Sequence, residues 1–195
     1  MSLRRRALAA LGVLLTVYVV FVCTGVGQRL DNRIWSWTGG TFDRGTQPDL
    51  VSVVRRVVPV LGGVILLGHS VFRRSWRLLV VGLAVWIVAT GIAYLLREVL
   101  PRPLLGNNGG KPVNSFPSTH VALAATPFIA VLVLDAVRRE LMAVYALVVL
   151  GVVLGNTLLM VHRFSDGLGS VALAVAVTTT SCLIAGRKPL HTERR

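Results

Sequence analysis

Apolar runs of about 20 residues alternate with short polar and basic turns along the chain, and that length is what an α-helix needs to cross a hydrocarbon core about 30 Å thick. The pattern predicts six such helices, over Ala7–Val26, Leu50–Phe72, Leu78–Leu100, about Ser118–Val137, about Leu141–Val161 and about Gly167–Ala185. Met1–Arg6 with the run behind it also reads as the charged head and apolar core of a signal peptide. The run is long enough to span, so a retained anchor helix is the expectation. Gly27–Asp49 reads as a polar loop whose Trp35 and Trp37 suit a membrane interface. Pro101-Arg102-Pro103 stops the third helix, and the glycines and prolines of Leu104–Pro117 keep that segment irregular.

Composition supports this reading. Of 195 residues 54% are hydrophobic, and mean hydropathy is +0.71, both above a soluble average. The expected fold class is all-α: one polytopic membrane domain over 1–195, a six-transmembrane-helix bundle with a short basic tail at 186–195. A net charge of +13 raises nucleic acid as a partner, but the basic residues stand in small clusters between apolar runs and form no stripe, so no nucleic acid is expected. Cys23 and Cys182 each lie inside an apolar run, where a thiol packs as a small hydrophobe, and no disulfide is expected.

Six helices put both termini on one side. That side carries Arg4, Arg5, Arg6, Arg73, Arg74, Arg77, Arg138, Arg139, Arg187, Lys188, Arg194 and Arg195. The positive-inside rule then makes the termini cytoplasmic in a plasma membrane and opens the Arg97–His120 segment outward. That segment gathers Arg97, Arg102, Lys111, Ser115, Ser118, Thr119 and His120, cations and hydroxyls suited to an anion. The same topology brings His162 and Asp166 to this face.

A carboxylate four residues after His162 can bond one imidazole nitrogen, fix the tautomer and leave the other nitrogen as a nucleophile. His120, at a helix start beside Ser118 and Thr119, is placed to protonate a leaving oxygen, and the N–H groups of that helix start favour a phosphate. Asp166 also reads as an N-cap on the last helix.

Phe116-Pro117-Ser118-Thr119-His120, with Arg102-Pro103 before it and His162-x3-Asp166 after it, resembles the type 2 phosphatidic acid phosphatase superfamily over about residues 95–169. The family pattern is Lys-x6-Arg-Pro, Pro-Ser-Gly-His and Ser-Arg-x5-His-x3-Asp. The resemblance implies a membrane lipid phosphatase without a metal or other cofactor, with His162 as nucleophile, Asp166 as its orienting partner and His120 as general acid. Arg102 and Ser118 would grip the phosphate, with Thr119, Arg97, Lys111 and Asn156 as further candidates. Leu95 stands where the pattern has lysine, Thr119 where it has glycine, and Gly155-Asn156 where it has Ser-Arg. Arg97, Lys111 and Arg163 are the cations that could fill in.

The expected substrate is a lipid phosphate or diphosphate, whether polyprenyl phosphate or diphosphate, phosphatidylglycerol phosphate or phosphatidate. Membrane lipids are the expected surroundings, and no obligate protein partner is inferred. Leu95 and Gly155-Asn156 keep one alternative, a weakened member that binds or moves anionic lipids; a second is a phosphotransferase that keeps His162 and passes the phosphoryl group to an alcohol.

Overall fold

The computed structural model describes residues 2–38, 47–103, 105, 114–135, 137, 139–159 and 162–185, with side chains for all but 38 and 47–55. All regular structure among the described residues is helical. Helix α1, Leu3–Val17, starts on Ser2, whose Oγ accepts the Arg5 N–H, and continues as a π-helical turn over Tyr18–Val22. After α2, Gly25–Thr38, come α3 over Gln47–Phe72, α4 over Trp76–Val99, α5 over Thr119–Leu134, α6 over Arg139–Leu158 and α7 over Phe164–Ile184.

Helix α5 is the hub. Eleven of its 16 residues are buried, as expected of a helix that is apolar on every side. It packs against α3, α4, α6 and α7, and α1 lies along α7. Pro127 sits inside α5 and has no N–H for the carbonyl four residues back. That carbonyl belongs to Leu123, and the Trp86 indole Nε1 of α4 donates to it at 2.7 Å. The proline's missing donor is thus replaced by a bond that ties the two helices together.

Four stretches among the described residues are long and apolar enough to cross a membrane: Leu3–Val22, Trp76–Val99, Arg139–Leu158 and Phe164–Ile184. Thr119–Leu134 and the Arg56–Phe72 part of α3 are apolar but shorter. This is a membrane protein. At the bundle end where α3 and α5 finish, Asp135 faces His69 Nε2 at 2.8 Å and accepts from Arg73 Nη2 at 2.9 Å. The basic turn at Arg73 is therefore partly neutralised where it leaves the bundle.

The polar loop expected over Gly27–Asp49 is corrected by α2 and by the start of α3 at Gln47. Thr24 caps α2, its Oγ1 accepting the Gly27 N–H at 3.0 Å. A Cβ on Gly27 would stand 1.9 Å from the Val20 carbonyl oxygen, so only glycine lets α2 press against the π-helical turn. The face that α2 buries carries Gln28 and Asp31, at 4% and 0% exposure. Polar residues at the inward positions hide the helix from any reading based on apolar periodicity.

Candidate active site

The site assembles where α4 ends and where α5 and α7 begin, with α2 laid against it. Pro101-Arg102-Pro103 is held on both sides of the arginine: Tyr18 OH donates to the Pro101 carbonyl at 2.7 Å, and Gln28 Nε2 donates to the Pro103 carbonyl at 2.6 Å. Asn114 fixes the next strut. Its Nδ2 donates to the Arg97 and Phe116 carbonyls, and its Oδ1 accepts the Phe116 N–H. The Phe116 ring lies against Gly169, where a Cβ would come within 2.3 Å of it. The following Phe116–Pro117 bond is cis and leads into Ser118.

Ser118 caps α5, its Oγ accepting the Val121 N–H at 3.2 Å. Its own N–H donates to the Asp166 carbonyl at 3.1 Å, and Ser170 Oγ lies 2.8 Å from both the Ser118 and the Asp166 carbonyls. The starts of α5 and α7 are thereby bound together. This brings His120 Nδ1 to 3.2 Å from His162 Nε2, a distance at which one ring donates and the other accepts.

On its far side His162 Nδ1 lies 3.7 Å from Asp166 Oδ2, longer than a hydrogen bond. That carboxylate, fully buried, is otherwise engaged. Oδ1 accepts from Arg102 Nη1 at 3.2 Å, and Oδ2 accepts from Ser115 Oγ at 2.6 Å and from the Arg163 N–H at 3.2 Å. The N-cap role read for Asp166 is corrected: Arg163 is the N-cap of α7, and Asp166, three residues in, bonds back to the Arg163 N–H while it faces the nucleophile candidate.

The Arg102 side chain is 5% exposed and stands between two carboxylates, Asp166 and Asp31, the latter 3.6 Å from Nη2. Asp31 accepts from both the Ser165 N–H and the Ser165 hydroxyl. Among the described residues only four buried side-chain polar atoms make no hydrogen bond, and three are donors of this site: Arg97 Nε, Arg102 Nη2 and His162 Nδ1. Buried N–H groups without acceptors are costly; an anion would satisfy the two arginine groups, while His162 Nδ1 faces Asp166.

Of the residues expected here, His120, His162, Asp166, Arg102 and Ser118 come together, and Thr119 opens α5 beside them. Leu95 is 59% exposed while Arg97 turns its Nε inward, so the inward register at the end of α4 belongs to Arg97. Asn156 is buried, but its Nδ2 donates to the Val152 carbonyl of its own helix at 2.8 Å. Its main-chain carbonyl accepts the His162 N–H. Lys111 and the tail 186–195 lie outside the described residues.

Sequence reasoning missed Asp31. Its only signal is the spacing of Gln28, Asp31 and Asn32, which puts three polar side chains on one helical face. Burial pushes the Asp31 carboxyl above the usual carboxylate value of 3.8, with the bonds from Ser165 opposing and nearby Asp166 adding to the rise. A raised value means that the folded state holds the proton more tightly than the unfolded chain does. The resulting stability is complete below the ordinary value and is lost as pH rises through the raised one. Asp31→Asn is therefore expected to flatten the fall in melting temperature above about pH 4, the ordinary carboxylate range, as read by thermal unfolding in detergent. Burial and the neighbouring Arg102 lower the Arg163 pKa.

No family model and no curated protein matches the chain by sequence. Among solved structures it is similar to the crystal structure of a transmembrane PAP2-type phosphatidylglycerolphosphate phosphatase from Bacillus subtilis. The TM-score is 0.70 at 16% identity, over 97% of this chain and 99% of that one. The fold of this chain is that of a PAP2-type transmembrane phosphatase.

Proposed function

We propose that this protein is a lipid phosphatase of the PAP2 type, which hydrolyses a lipid phosphate or diphosphate through a phosphohistidine on His162. The observation that carries this reading is the approach of His120 Nδ1 to His162 Nε2 at 3.2 Å, with Asp166 behind His162 and Arg102 beside it. A binding site for an anion needs the cations alone. A pair of imidazoles in contact, one backed by a carboxylate, is the equipment for nucleophilic attack and proton transfer.

In the first step His162 Nε2 attacks phosphorus and the P–O bond to the lipid alcohol breaks. The leaving oxygen takes a proton from His120. In the second step His120, now neutral, takes a proton from water as its oxygen attacks phosphorus, and the P–N bond breaks to release phosphate. One histidine starts neutral and the other protonated, so the rate falls on both the acid and the alkaline side. Arg102 and Arg97 would neutralise the phosphoryl oxygens with charge-assisted bonds, and Ser118 and Thr119 would present the start of α5. These cations do the work a metal would do, so activity is expected to survive EDTA.

The reading includes one domain over 1–195 and six spans, α3 and α5 making up the count inside the bundle. Both termini face the cytoplasm and the site faces outward, as the basic residues favour. The similar fold of a phosphatidylglycerolphosphate phosphatase supports a lipid substrate; phosphatidate and polyprenyl phosphates or diphosphates are equally compatible with the site.

An apolar groove supports the lipid as well. It has a volume of about 570 Å³ between α4 and α5, lined by Trp86, Ile87, Thr90, Gly91, Tyr94 and Leu123. Tyr94 and Leu123 each lie three residues from Arg97 and His120, about 4.5 Å along a helix axis. A Cβ on Gly91 would meet nothing within 4 Å. Gly91→Leu is therefore expected to fill the groove without strain and to raise the KM for a long-chain lipid phosphate roughly tenfold, the scale of two displaced methylenes. Hydrolysis of a short, water-soluble phosphate ester should be unchanged, and an equal effect on both would remove the groove from the account.

The test of the reading is phosphate release from a panel of lipid phosphates by the purified protein in detergent with EDTA. Release from one class, without metal, names the substrate. A folded protein that binds these lipids and releases nothing would instead favour the lipid-binding alternative, for which the amide of Asn156, turned into its own helix, is the supporting observation. Release only when an alcohol acceptor is present would favour the phosphotransferase.

A further inference from the structure

The residue that follows the nucleophile candidate is itself an arginine with an unusual hold. Arg163 Nε donates to Asn32 Oδ1 of α2 at 2.9 Å, a bond across 131 positions of sequence. The Arg163 N–H is fixed to Asp166 Oδ2 at 3.2 Å, so backbone and guanidinium are both anchored. With Nε pinned, the plane of the guanidinium is set and its two Nη groups form a fork of fixed direction.

Three facts point this fork at the phosphate. The guanidinium is half-buried and close enough to Arg102, Asp166 and Asp31 to feel each of their charges. Two guanidinium groups brought together in a partly buried site repel each other, and an anion between them removes that repulsion. The position where the PAP2 pattern carries its second arginine holds Asn156, and its amide is spent on the Val152 carbonyl. The site as read above therefore has Arg102 and Arg97 but no charged grip from α6.

We propose that Arg163, presented by Asn32 of α2, is a further phosphate-gripping arginine of this site and stands in for the arginine that position 156 lacks. The inference rests on the reading of His162 as the phosphoryl acceptor. It gives α2 a function as well: the helix that holds the Pro101–Pro103 strut through Gln28 and faces Arg102 through Asp31 also aims Arg163. Arg102 and Arg163 would then both be set by one helical face.

The experiment is carried out on the full-length protein in detergent with wild type, Arg163→Ala, Arg163→Lys, Asn32→Ala and the double variant Arg163→Ala with Asn156→Arg. Two quantities are read: turnover of a lipid phosphate, and binding of orthovanadate, which needs no turnover and mimics the five-coordinate phosphorus. Arg163→Ala should lower kcat about 100-fold, the scale of losing one group that stabilises developing charge, and weaken vanadate binding at least tenfold. Arg163→Lys should recover part of both, since a point charge replaces the fork. Asn32→Ala should move both in the same direction by less, and Asn156→Arg should restore activity to the Arg163→Ala protein.

Wild-type turnover with kcat and vanadate affinity unchanged in Arg163→Ala overturns the inference and leaves the hydrolase reading intact. A loss of melting temperature in Arg163→Ala with vanadate affinity unchanged would also overturn it, because that is a structural role only. Vanadate binding that weakens in Arg163→Ala in a protein without any turnover supports the grip and sinks the hydrolase reading.

Discussion

His162→Ala is expected to abolish phosphate release from lipid phosphates, by on the order of 10⁴-fold or more, the scale on which losing a covalent nucleophile acts. The reason is positional. His162 is 7% exposed, its Nε2 faces His120 and its Nδ1 faces Asp166. The Arg163 N–H and the Ser115 hydroxyl hold that carboxylate in place without the imidazole. Removing the ring therefore takes away the acceptor of the phosphoryl group while leaving the support behind it, and the variant should fold. His120→Ala loses only the proton transfer, a contribution of about 10²–10⁴-fold. Its deficit should shrink for an ester whose leaving group needs no proton, such as a nitrophenyl phosphate, whereas that of His162→Ala should not. The pair of variants measured on a lipid and on an activated ester separates nucleophile from acid.

Arg102→Leu is the second large effect, and it reaches both stability and chemistry. Arg102 lies between Asp31 and Asp166, both fully buried. Taking away the cation leaves two carboxylates facing each other out of water, and breaking a buried ion pair from one side costs about 3–5 kcal/mol. The loss should be largest at neutral pH and should ease on acidification, because a protonated Asp31 no longer needs the guanidinium. Thermal unfolding of wild type and Arg102→Leu at several pH values reads this directly. A constant difference from pH 4 to 8 would mean that the carboxylates are balanced by other groups. Adding Asp31→Asn should restore most of the stability and none of the phosphate release, since the grip on the phosphoryl oxygens is still missing.

The helices that carry the catalytic candidates were legible as apolar runs ended by proline and glycine, and His120, His162 and Asp166 as polar residues at the ends of those runs. Their convergence follows from topology: two antiparallel connections return α5 and α7 to the same bundle end. The inward turn of Arg97 was not legible, because Leu95 is the residue that stands where the pattern has its lysine and α4 runs on as helix past both positions. Two residues turn a helix by about 200°, so a cation at 97 reads as turned away from a site that expects one at 95, yet Leu95 is the exposed member of the pair and the Arg97 Nε is buried.

Helix α2 was not legible. Its inward face is Gln28 and Asp31, and a pattern that scores apolar residues counts these as surface. Asp31 belongs to no motif; only the three-dimensional approach of α2 to Arg102 and Ser165 reveals it. The role of Trp86 was hidden for a similar reason, since Pro127 frees the Leu123 carbonyl within α5 and nothing in the sequence says which neighbour will bond it.

The central claim is a covalent phosphoryl group on His162, and it is tested most directly by trapping it. The protein is mixed with a lipid phosphate labelled in the phosphoryl group, quenched within milliseconds and digested under alkaline conditions that preserve phosphohistidine. The account predicts an acid-labile label on the peptide containing His162 in wild type and none in His162→Ala. Phosphate release from His162→Ala at the wild-type rate, or label on any other residue, would contradict it.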